Sequence, residues 1–141
     1  MLHFMLLYGG IIIYNDYENS FYRNYKKSEV LVMAASLTLN QQSPTGEANV
    51  AAARKQNLRL IKPRGLEVEV DQGIRGMLGR QQVWFGNEAY LKNHEFKLPK
   101  EASKIEGLLS LLAIDDEIVG AISYNENPNP EAETFIEIVN R

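Results

Sequence analysis

Two groups of residues are of types that could do chemistry, but neither has the spacing of a catalytic site. The adjacent acids Asp115, Asp116 and Glu117 could bind a divalent cation only with further oxygens from elsewhere, and their position between two apolar runs predicts a solvated hairpin turn. The two histidines, His3 and His94, lie far apart, so a Ser-His-Asp set is not expected. Cysteine is absent, which excludes disulfides, thiol catalysis and zinc–thiolate sites. We therefore expect no catalytic residues and no metal site.

The composition excludes several classes of protein. Of the 141 residues, 45% are apolar and 23% are charged, which is typical of one globular domain. The 15 Lys and Arg against 18 Asp and Glu give a net charge of −3, so the chain has no basic excess for binding nucleic acid. The apolar residues 1–14 are fewer than the ~20 that a membrane-spanning helix needs, and Gly9 and Gly10 interrupt them. They also lack a basic leader region, so we expect neither a membrane span nor a signal peptide, and a cytoplasmic location.

The pattern of apolar residues predicts short strands between helices. Residues 15–28 are expected to form a connector, after which Ser28 caps a helix that the Ser43-Pro44 step interrupts. The stretches GLEVEV and QQVWF alternate as half-buried strands do, and Gly79 suits a hairpin turn. The predicted strands are 58–62, 65–70, 73–78, 81–85, 109–115 and 118–123, and the predicted helices are 29–39, 47–56, a short helix capped by Asn87, 100–108 and 131–140.

This order of elements predicts an α+β fold. We expect a two-layer sandwich in which one antiparallel sheet of about six strands is covered by flanking helices on one side. The apolar residues 1–14 are expected to form a buried strand pair or a helix–strand element.

Three segments, in order, resemble the nucleotide-binding domain of heavy-metal-transporting P-type ATPases. Residues 29–58 are similar to the family pattern E-x-L-x-x-A-A-S-L-E-x-x-S-E-H-P-L. Residues 71–91 are similar to the pattern G-x-G-V-x-G followed by V-x-V-G-N. Residues 108–132 are similar to the strand pair that leads back to the phosphorylation domain. The residues in register with these patterns are Ala34, Ala35, Ser36, Leu37, Pro44, Gly46, Ala48, Gly73, Gly76, Val83, Gly86, Asn87, Val119, Gly120, Pro130, Glu131 and Ala132. The resemblance implies a P-type ATPase N-domain-like fold.

The resemblance also implies three parts of the chain. A nucleotide-binding-like domain would span residues 29–125, between a strand and connector at 1–28 and a helix at 126–141, both remnants of a phosphorylation domain. The family's phosphorylated motif D-K-T-G-T-L-T-x-G would fall at the N-terminus, where its nucleophilic Asp aligns with Met1 and its Lys with Leu2. The resemblance therefore implies neither phosphorylation nor ion transport by this polypeptide alone.

Five residues are implied as a nucleotide site, two of which replace the family's polar ligands. Family pockets hold adenine between a helix-borne Glu and His and a Gly-rich strand. Gln42 occupies the Glu position and would hydrogen-bond the adenine, while Ser43 occupies the His position without the contact area of an imidazole. Asp71 replaces the first glycine of G-x-G, which adds a negative charge where a polyphosphate would approach.

The other three implied site residues keep the family type. Gly73 and Gly86 would form a backbone wall against the ligand, because no Cβ intervenes, and Asn87 would fix the strand-to-helix turn. An alternative interpretation of these glycines is ordinary hairpin and bulge geometry.

The expected function is an ATP-binding-type lobe with weakened ligand contacts. Two or three lost polar contacts cost ~2–4 kcal/mol, which is about 30- to 1000-fold in affinity. The implied ligand is an adenine nucleotide, weakly bound, with no Mg²⁺ held by this chain alone. Whether the chain contributes to the family's enzyme activity, ATP hydrolysis coupled to metal-ion transport, is left open. The alternatives are a non-catalytic protein-interaction module, with another protein chain as partner, and a truncated remnant on the same fold.

Overall fold

A seven-stranded antiparallel sheet forms the centre of the part of the chain that is described. The computed structural model describes residues 2–7, 11–16, 25–100, 102 and 108–124, and in the first two strands it describes the backbone and the side chain of Ile13. The elements are β1 (Leu2–Leu7), β2 (Ile11–Asp16), α1 (Lys27–Thr38), α2 (Pro44–Lys55), β3 (Arg64–Glu69), β4 (Gly73–Leu78), β5 (Gln81–Gly86), α3 (Glu88–Asn93), β6 (Leu108–Ile114) and β7 (Glu117–Tyr124). The strand order is β1-β2-β7-β6-β5-β4-β3, with every neighbouring pair antiparallel.

The predicted α+β class with one antiparallel sheet is confirmed, and the sheet contains seven strands where about six were expected. The apolar N-terminus supplies two of them, because β1 and β2 form a hairpin that joins the sheet through β7. The predicted origin of residues 1–28 and 126–141 as remnants of a phosphorylation domain stays a prediction. The proposed strand at 58–62 is wrong: this stretch has no ladder partner, and the amide of Ile61 donates instead to the Ser36 hydroxyl of α1 at 2.9 Å.

Helices cover both faces of the sheet, so the expectation that they lie on one side is wrong. Period-two alternation gives each strand two faces. In β4 and β5, Ile74 and Phe85 point into a core cluster formed with α1 and α2. The opposite face carries a second cluster, in which Tyr90 and Leu91 of α3 pack with Leu111 of β6. A short helix can therefore occupy the second face, because the central strands β5 and β6 present apolar residues on both sides.

The helix boundaries differ from the predicted ones where capping decides them. Helix α1 begins at Lys27 rather than after Ser28, and the Lys26 amide donates to the Glu29 carboxylate at 3.1 Å. Helix α2 begins at Pro44, three residues earlier than expected, because the Ser43 hydroxyl accepts the Gly46 amide at 3.1 Å. Proline in the first turn costs no hydrogen bond, since a backbone N–H at that position would have no acceptor within the helix.

Several other predictions fall partly or wholly outside the described residues. The helix at 131–140 lies outside them, and so does most of the helix at 100–108, whose last residue is the first of β6. Residues 15 and 16, placed in the connector, belong to β2. The turn at Gly79 is confirmed, with a backbone φ of +64°. Within the described ranges, no helix has both the length and the apolar character needed to cross a membrane.

Candidate functional site

A cavity of about 330 Å³ opens between the α1–α2 loop and the ends of the central strands. It lies beside both segments that the sequence patterns single out, the 40–46 loop and the turn that precedes β4. Its lining residues are Thr38, Gln41, Ser43, Thr45, Val68, Glu69, Asp71, Gln72, Gly73, Ile74, Phe85, Gly86, Asn87, Leu108, Leu109 and Ser110. The lining is mixed, with apolar strand residues beside hydroxyl, amide and carboxylate groups.

The cavity brings together four of the five predicted site residues. Ser43, Gly73, Gly86 and Asn87 all line it. Gln42 is exposed and does not belong to the lining, whereas its neighbour Gln41 does. The structure therefore does not bring the proposed adenine partner to the other four. That all of these residues bind a nucleotide stays a prediction.

Gly73 and Gly86 face each other across the β4–β5 ladder, and Tyr90 explains why both are glycines. A Cβ built on Gly73 would lie 2.6 Å from Cε2 of the Tyr90 ring. A Cβ built on Gly86 would lie 2.5 Å from Cδ2 of the same ring and from the Gln72 carbonyl oxygen. Tyr90 does not line the cavity, so both Cβ positions point away from the lining. The glycines contribute backbone to the cavity wall. The Tyr90 ring excludes a side chain at both positions, and at Gly86 the Gln72 carbonyl excludes it as well.

Asn87 ties the end of β5 to α3, as the sequence predicted. Its side-chain oxygen accepts the Tyr90 amide at 2.8 Å, which caps α3. Its side-chain NH₂ donates to the Asp71 carbonyl oxygen at 3.3 Å across the cavity wall. One side chain thus holds both the helix and the turn that bears Asp71.

Replacing Asn87 with alanine is expected to lower the free energy of unfolding by about 1 kcal/mol, because α3 loses its cap and the turn loses a hydrogen bond. Chemical denaturation followed by circular dichroism measures this change. Asn87→Ser is the matched control, since serine also caps helices, and it should recover most of the loss. Equal losses in both variants would contradict the capping role.

Asp71 occupies a backbone conformation that suits glycine. Its φ is +61°, in the left-handed region where a Cβ is unfavourable, although Asp and Asn tolerate it better than most residues. The family pattern has glycine at this position, and the turn keeps the geometry that a glycine would adopt. The sequence identified the substitution but gave no information on this φ angle.

A buried hydrogen-bonded network lies behind one wall of the cavity. Tyr124 donates its hydroxyl proton to the side-chain oxygen of Asn49 at 2.7 Å, and the Asn49 NH₂ donates to the Thr38 hydroxyl at 3.4 Å. Thr38 in turn donates to the Ala34 carbonyl oxygen at 2.7 Å. Burial raises the pKa of Tyr124 well above its ordinary range, while hydrogen bonds to Asn49 and Ser110 oppose that rise.

The ends of this network, Thr38 and Ser110, both line the cavity. Sequence reasoning missed them as candidate site residues. A signal existed for Thr38, which stands where the family pattern has Glu after A-A-S-L, but none existed for Ser110.

The charges around the cavity are of one sign. Glu69 and Asp71 belong to the lining, and none of the described lining residues is Lys, Arg or His. Glu69 pairs with His94 at 2.7 Å, from the α3 side of the sheet. Among the described residues, no group of three or more acidic or histidine side chains could hold a metal ion, and the acids at 115–116 form the tight turn between β6 and β7.

The similarities to known proteins agree with this geometry. No protein-family model matches the chain. A zinc-exporting P-type ATPase of Mycobacterium marinum is 27% identical over 118 residues, which are 79% of this chain and 16% of that protein. The crystal structure of the N-domain of HMA8, a copper-transporting P-type ATPase, superposes with a TM-score of 0.64 at 24% identity and covers 72% of this chain and 92% of the HMA8 domain. The chain has an N-domain-like fold of the heavy-metal P-type ATPases.

A further solved structure, a catalytic domain, is similar to a larger part of this chain. The catalytic domain of the CPx-ATPase CopB-B, whose conformation changes upon nucleotide binding, matches with a TM-score of 0.54 at 18% identity over 96% of this chain and 44% of that domain. The N-domain resemblance implied by the three sequence segments is thus confirmed. The chain spans about a sixth of the length of the zinc exporter.

Proposed function

We propose that the chain is a nucleotide-binding lobe that takes the adenine end of a nucleotide into the cavity beside Gly73 and Gly86, with weakened contacts. The observation that carries this proposal is that three pattern-matched residues, Gly73, Gly86 and Asn87, line one cavity together with Ser43, which stands at the position of the family histidine, in an N-domain-like fold. The related CopB-B domain responds to nucleotide, which supports the same ligand class here. A cytoplasmic location, the expectation from the sequence, is part of this proposal.

The cavity has the size and polarity for a nucleobase with its sugar. Small-molecule sites commonly enclose ~300–1,000 Å³, so 330 Å³ is at the lower end of that range. Ile74 and Phe85 offer apolar surface, while Thr38 and Ser110 offer hydroxyl groups for the polar edge of a ring. We assign Thr38 the contact first given to Gln42, because Thr38 lines the cavity while Gln42 does not. The Thr38 hydroxyl already donates its proton to the Ala34 carbonyl, so it would serve the adenine amine as an acceptor.

The contacts are weak because the residues at positions 43 and 71 differ from the family pattern. Ser43 is committed to the cap of α2, so its hydroxyl is less available to a ligand, and serine lacks the ring of the family histidine. Asp71 adds a carboxylate beside the ligand. Neither phosphoryl transfer nor ion transport is proposed for this chain alone.

The test is a titration of the purified full chain with AMP and ATP, followed by amide chemical shifts. We expect shifts at millimolar ligand that cluster in the lining segments, 41–45, 69–74 and 85–87. Thr45→Trp fills the cavity from the first turn of α2 and should weaken binding at least tenfold. Glu47→Trp is the matched control, since it lies in the same turn but outside the lining, and it should bind as the parent does. Binding that survives Thr45→Trp, or no shifts at all in a folded protein, would refute the site.

One observation favours a second candidate function, a protein-interaction module. Strand β3 is the last strand of the sheet, and its alternating residues Leu66 and Val68 are 39% and 54% exposed, while Val70, in the turn that follows, is 79% exposed. Glu67 and Glu69 alternate with them, so the partner would be an extended segment with apolar and basic residues in turn. A synthetic peptide of alternating valine and lysine tests this function. Shifts at 64–70 with the peptide but none with nucleotide would favour it over the first proposal.

A further inference from the structure

A second cavity, of about 230 Å³, lies at the other end of the β4–β5 hairpin. The first cavity is lined by Gly73 and Gly86, where β4 begins and β5 ends, and the second by Leu78 and Gln81, beside the hairpin turn. At about 3.3 Å per residue, the length of β4 separates the two by roughly 17 Å. The second cavity is therefore a separate candidate site.

The walls of the second cavity are mostly apolar, and hydrogen bonds hold them in place. The side-chain NH₂ of Gln81 donates to the Tyr25 hydroxyl at 2.9 Å, and the Ile61 amide is fixed to Ser36 of α1. Ile61 is 43% exposed, so the cavity opens to solvent on its side. The apolar lining residues are Val32, Met33, Leu58, Ile61 and Leu78. Small-molecule sites commonly enclose ~300–1,000 Å³, so a cavity of 230 Å³ suits one inserted side chain better than a whole ligand.

Cations accompany each of the three chain segments that line the second cavity. The exposed cations next to lining residues in sequence are Lys26, Arg59, Lys62 and Arg80. The last three form no ion pair with any residue that the structure describes. The acid in the lining is Glu29, whose carboxylate accepts the Lys26 amide at the start of α1. In the adjoining β6–β7 turn, the Asp115 carboxylate accepts the Gln82 amide at 3.2 Å. Exposed positive charge is thus gathered here in a chain whose net charge is −3.

We infer that the second cavity docks an acidic segment of a partner protein, with one apolar side chain of that segment inserted beside α1 and the β4–β5 hairpin. Charge complementarity decides the partner, because unpaired cations accompany an apolar cavity that suits a single side chain. An exposed ion pair is worth only about 1.5- to 5-fold in affinity, so the inserted side chain supplies much of the binding. This surface differs from the β3 edge, where Glu67 and Glu69 suit a basic segment.

The test titrates the full chain with three synthetic peptides and follows the amide shifts of residues 58–62 and 78–82. In the first peptide two glutamates flank a central phenylalanine on each side, in the second serine replaces the phenylalanine, and in the third lysines replace the glutamates. We expect the first to bind, the second to bind at least about tenfold more weakly, and the third not to bind. Binding of the first should weaken several-fold between about 50 mM and 300 mM sodium chloride, because salt screens exposed charges.

Charge reversal assigns the effect to this surface. In the double variant Arg59→Glu, Lys62→Glu, attractions become repulsions, so the acidic peptide should lose at least about tenfold in affinity. The lysine peptide should now bind this variant better than it binds the parent. Lys92→Glu, Lys97→Glu is the matched control, because it changes the net charge equally at exposed positions outside the lining. It should leave the order of the three peptides unchanged.

The outcomes also keep this inference apart from nucleotide binding. An equal loss in the control variant would mean that the peptide responds to net charge alone, and the docking site would be overturned. Absence of peptide shifts in a folded protein would overturn it too, as would shifts caused by phosphatidylserine vesicles or single-stranded DNA but not by the acidic peptide. AMP should shift the lining of the first cavity equally in the parent and in the Arg59→Glu, Lys62→Glu variant, so either proposal can fail while the other stands.

Discussion

Replacing Gly73 with alanine is expected to lower the free energy of unfolding by about 3 kcal/mol, a large effect for a single methyl group. The new Cβ would lie within 2.6 Å of the Tyr90 ring, which is 1% exposed and held between α3 and the sheet. Overpacking of this kind commonly costs ~1–3 kcal/mol, and a rigid ring has little room to move. Chemical denaturation of the variant and its parent measures the difference.

A matched glycine and a second substitution show whether Tyr90 is the cause. Gly76→Ala is the control in the same strand: its nearest neighbour is Cδ2 of Leu66, the end of a flexible and exposed side chain, so we expect a loss below about 1 kcal/mol. In a Tyr90→Leu background, Gly73→Ala should cost less than half of its effect in the parent. Equal costs in both backgrounds would mean that another contact requires glycine at 73.

Asn49→Ala is expected to lower the free energy of unfolding by about 3 kcal/mol as well. Asn49 is fully buried, and its amide joins Tyr124 to Thr38 behind the cavity wall. Alanine leaves the Tyr124 hydroxyl without its acceptor, a loss of ~1–3 kcal/mol for a buried group, and adds a small void. Thermal and denaturant unfolding measure the change.

The double-mutant cycle with Tyr124→Phe isolates the hydrogen bond from the void. In the parent, removing the hydroxyl should cost about 1 kcal/mol, because the Asn49 oxygen loses its donor. In the Asn49→Ala background the same change should cost nothing or stabilise the protein, since the hydroxyl has already lost its acceptor. Additive effects would show that the two residues act independently.

The sequence predicted the local elements where one short-range rule decides the outcome. Gly79 defined the β4–β5 hairpin, because a tight turn needs a residue that tolerates positive φ. Asn87 was predicted to cap α3, and it does, because Asn is among the side chains that pair best with the free amides of a helix start. At Ser43 the same rule was available, but the residue was assigned to a ligand contact, and the start of α2 was placed too late.

The candidate site was predicted in part, through a resemblance rather than through chemistry visible in the residues. Ser43, Gly73, Gly86 and Asn87 meet at one cavity, although two segments of chain about 30 residues apart supply them. Gln42 lies outside the lining while its neighbour Gln41 belongs to it, since a pattern match in a loop does not specify which side chain turns inward. Thr38 and Ser110 were not predicted as lining residues, because nothing in the local sequence shows that a helix end and a strand will meet at one cavity.

The sequence by itself determined the strands β3 to β7 and the helices α1 to α3, although not their exact bounds, that these make an antiparallel α+β fold, and which residues match the N-domain patterns. Only the tertiary structure decided which face of the sheet α3 covers, and therefore why Gly73 and Gly86 cannot carry a side chain. Alternation along a strand separates two faces but does not say what packs on each of them. That choice depends on contacts between residues distant in the chain, and these exist only once the sheet is assembled.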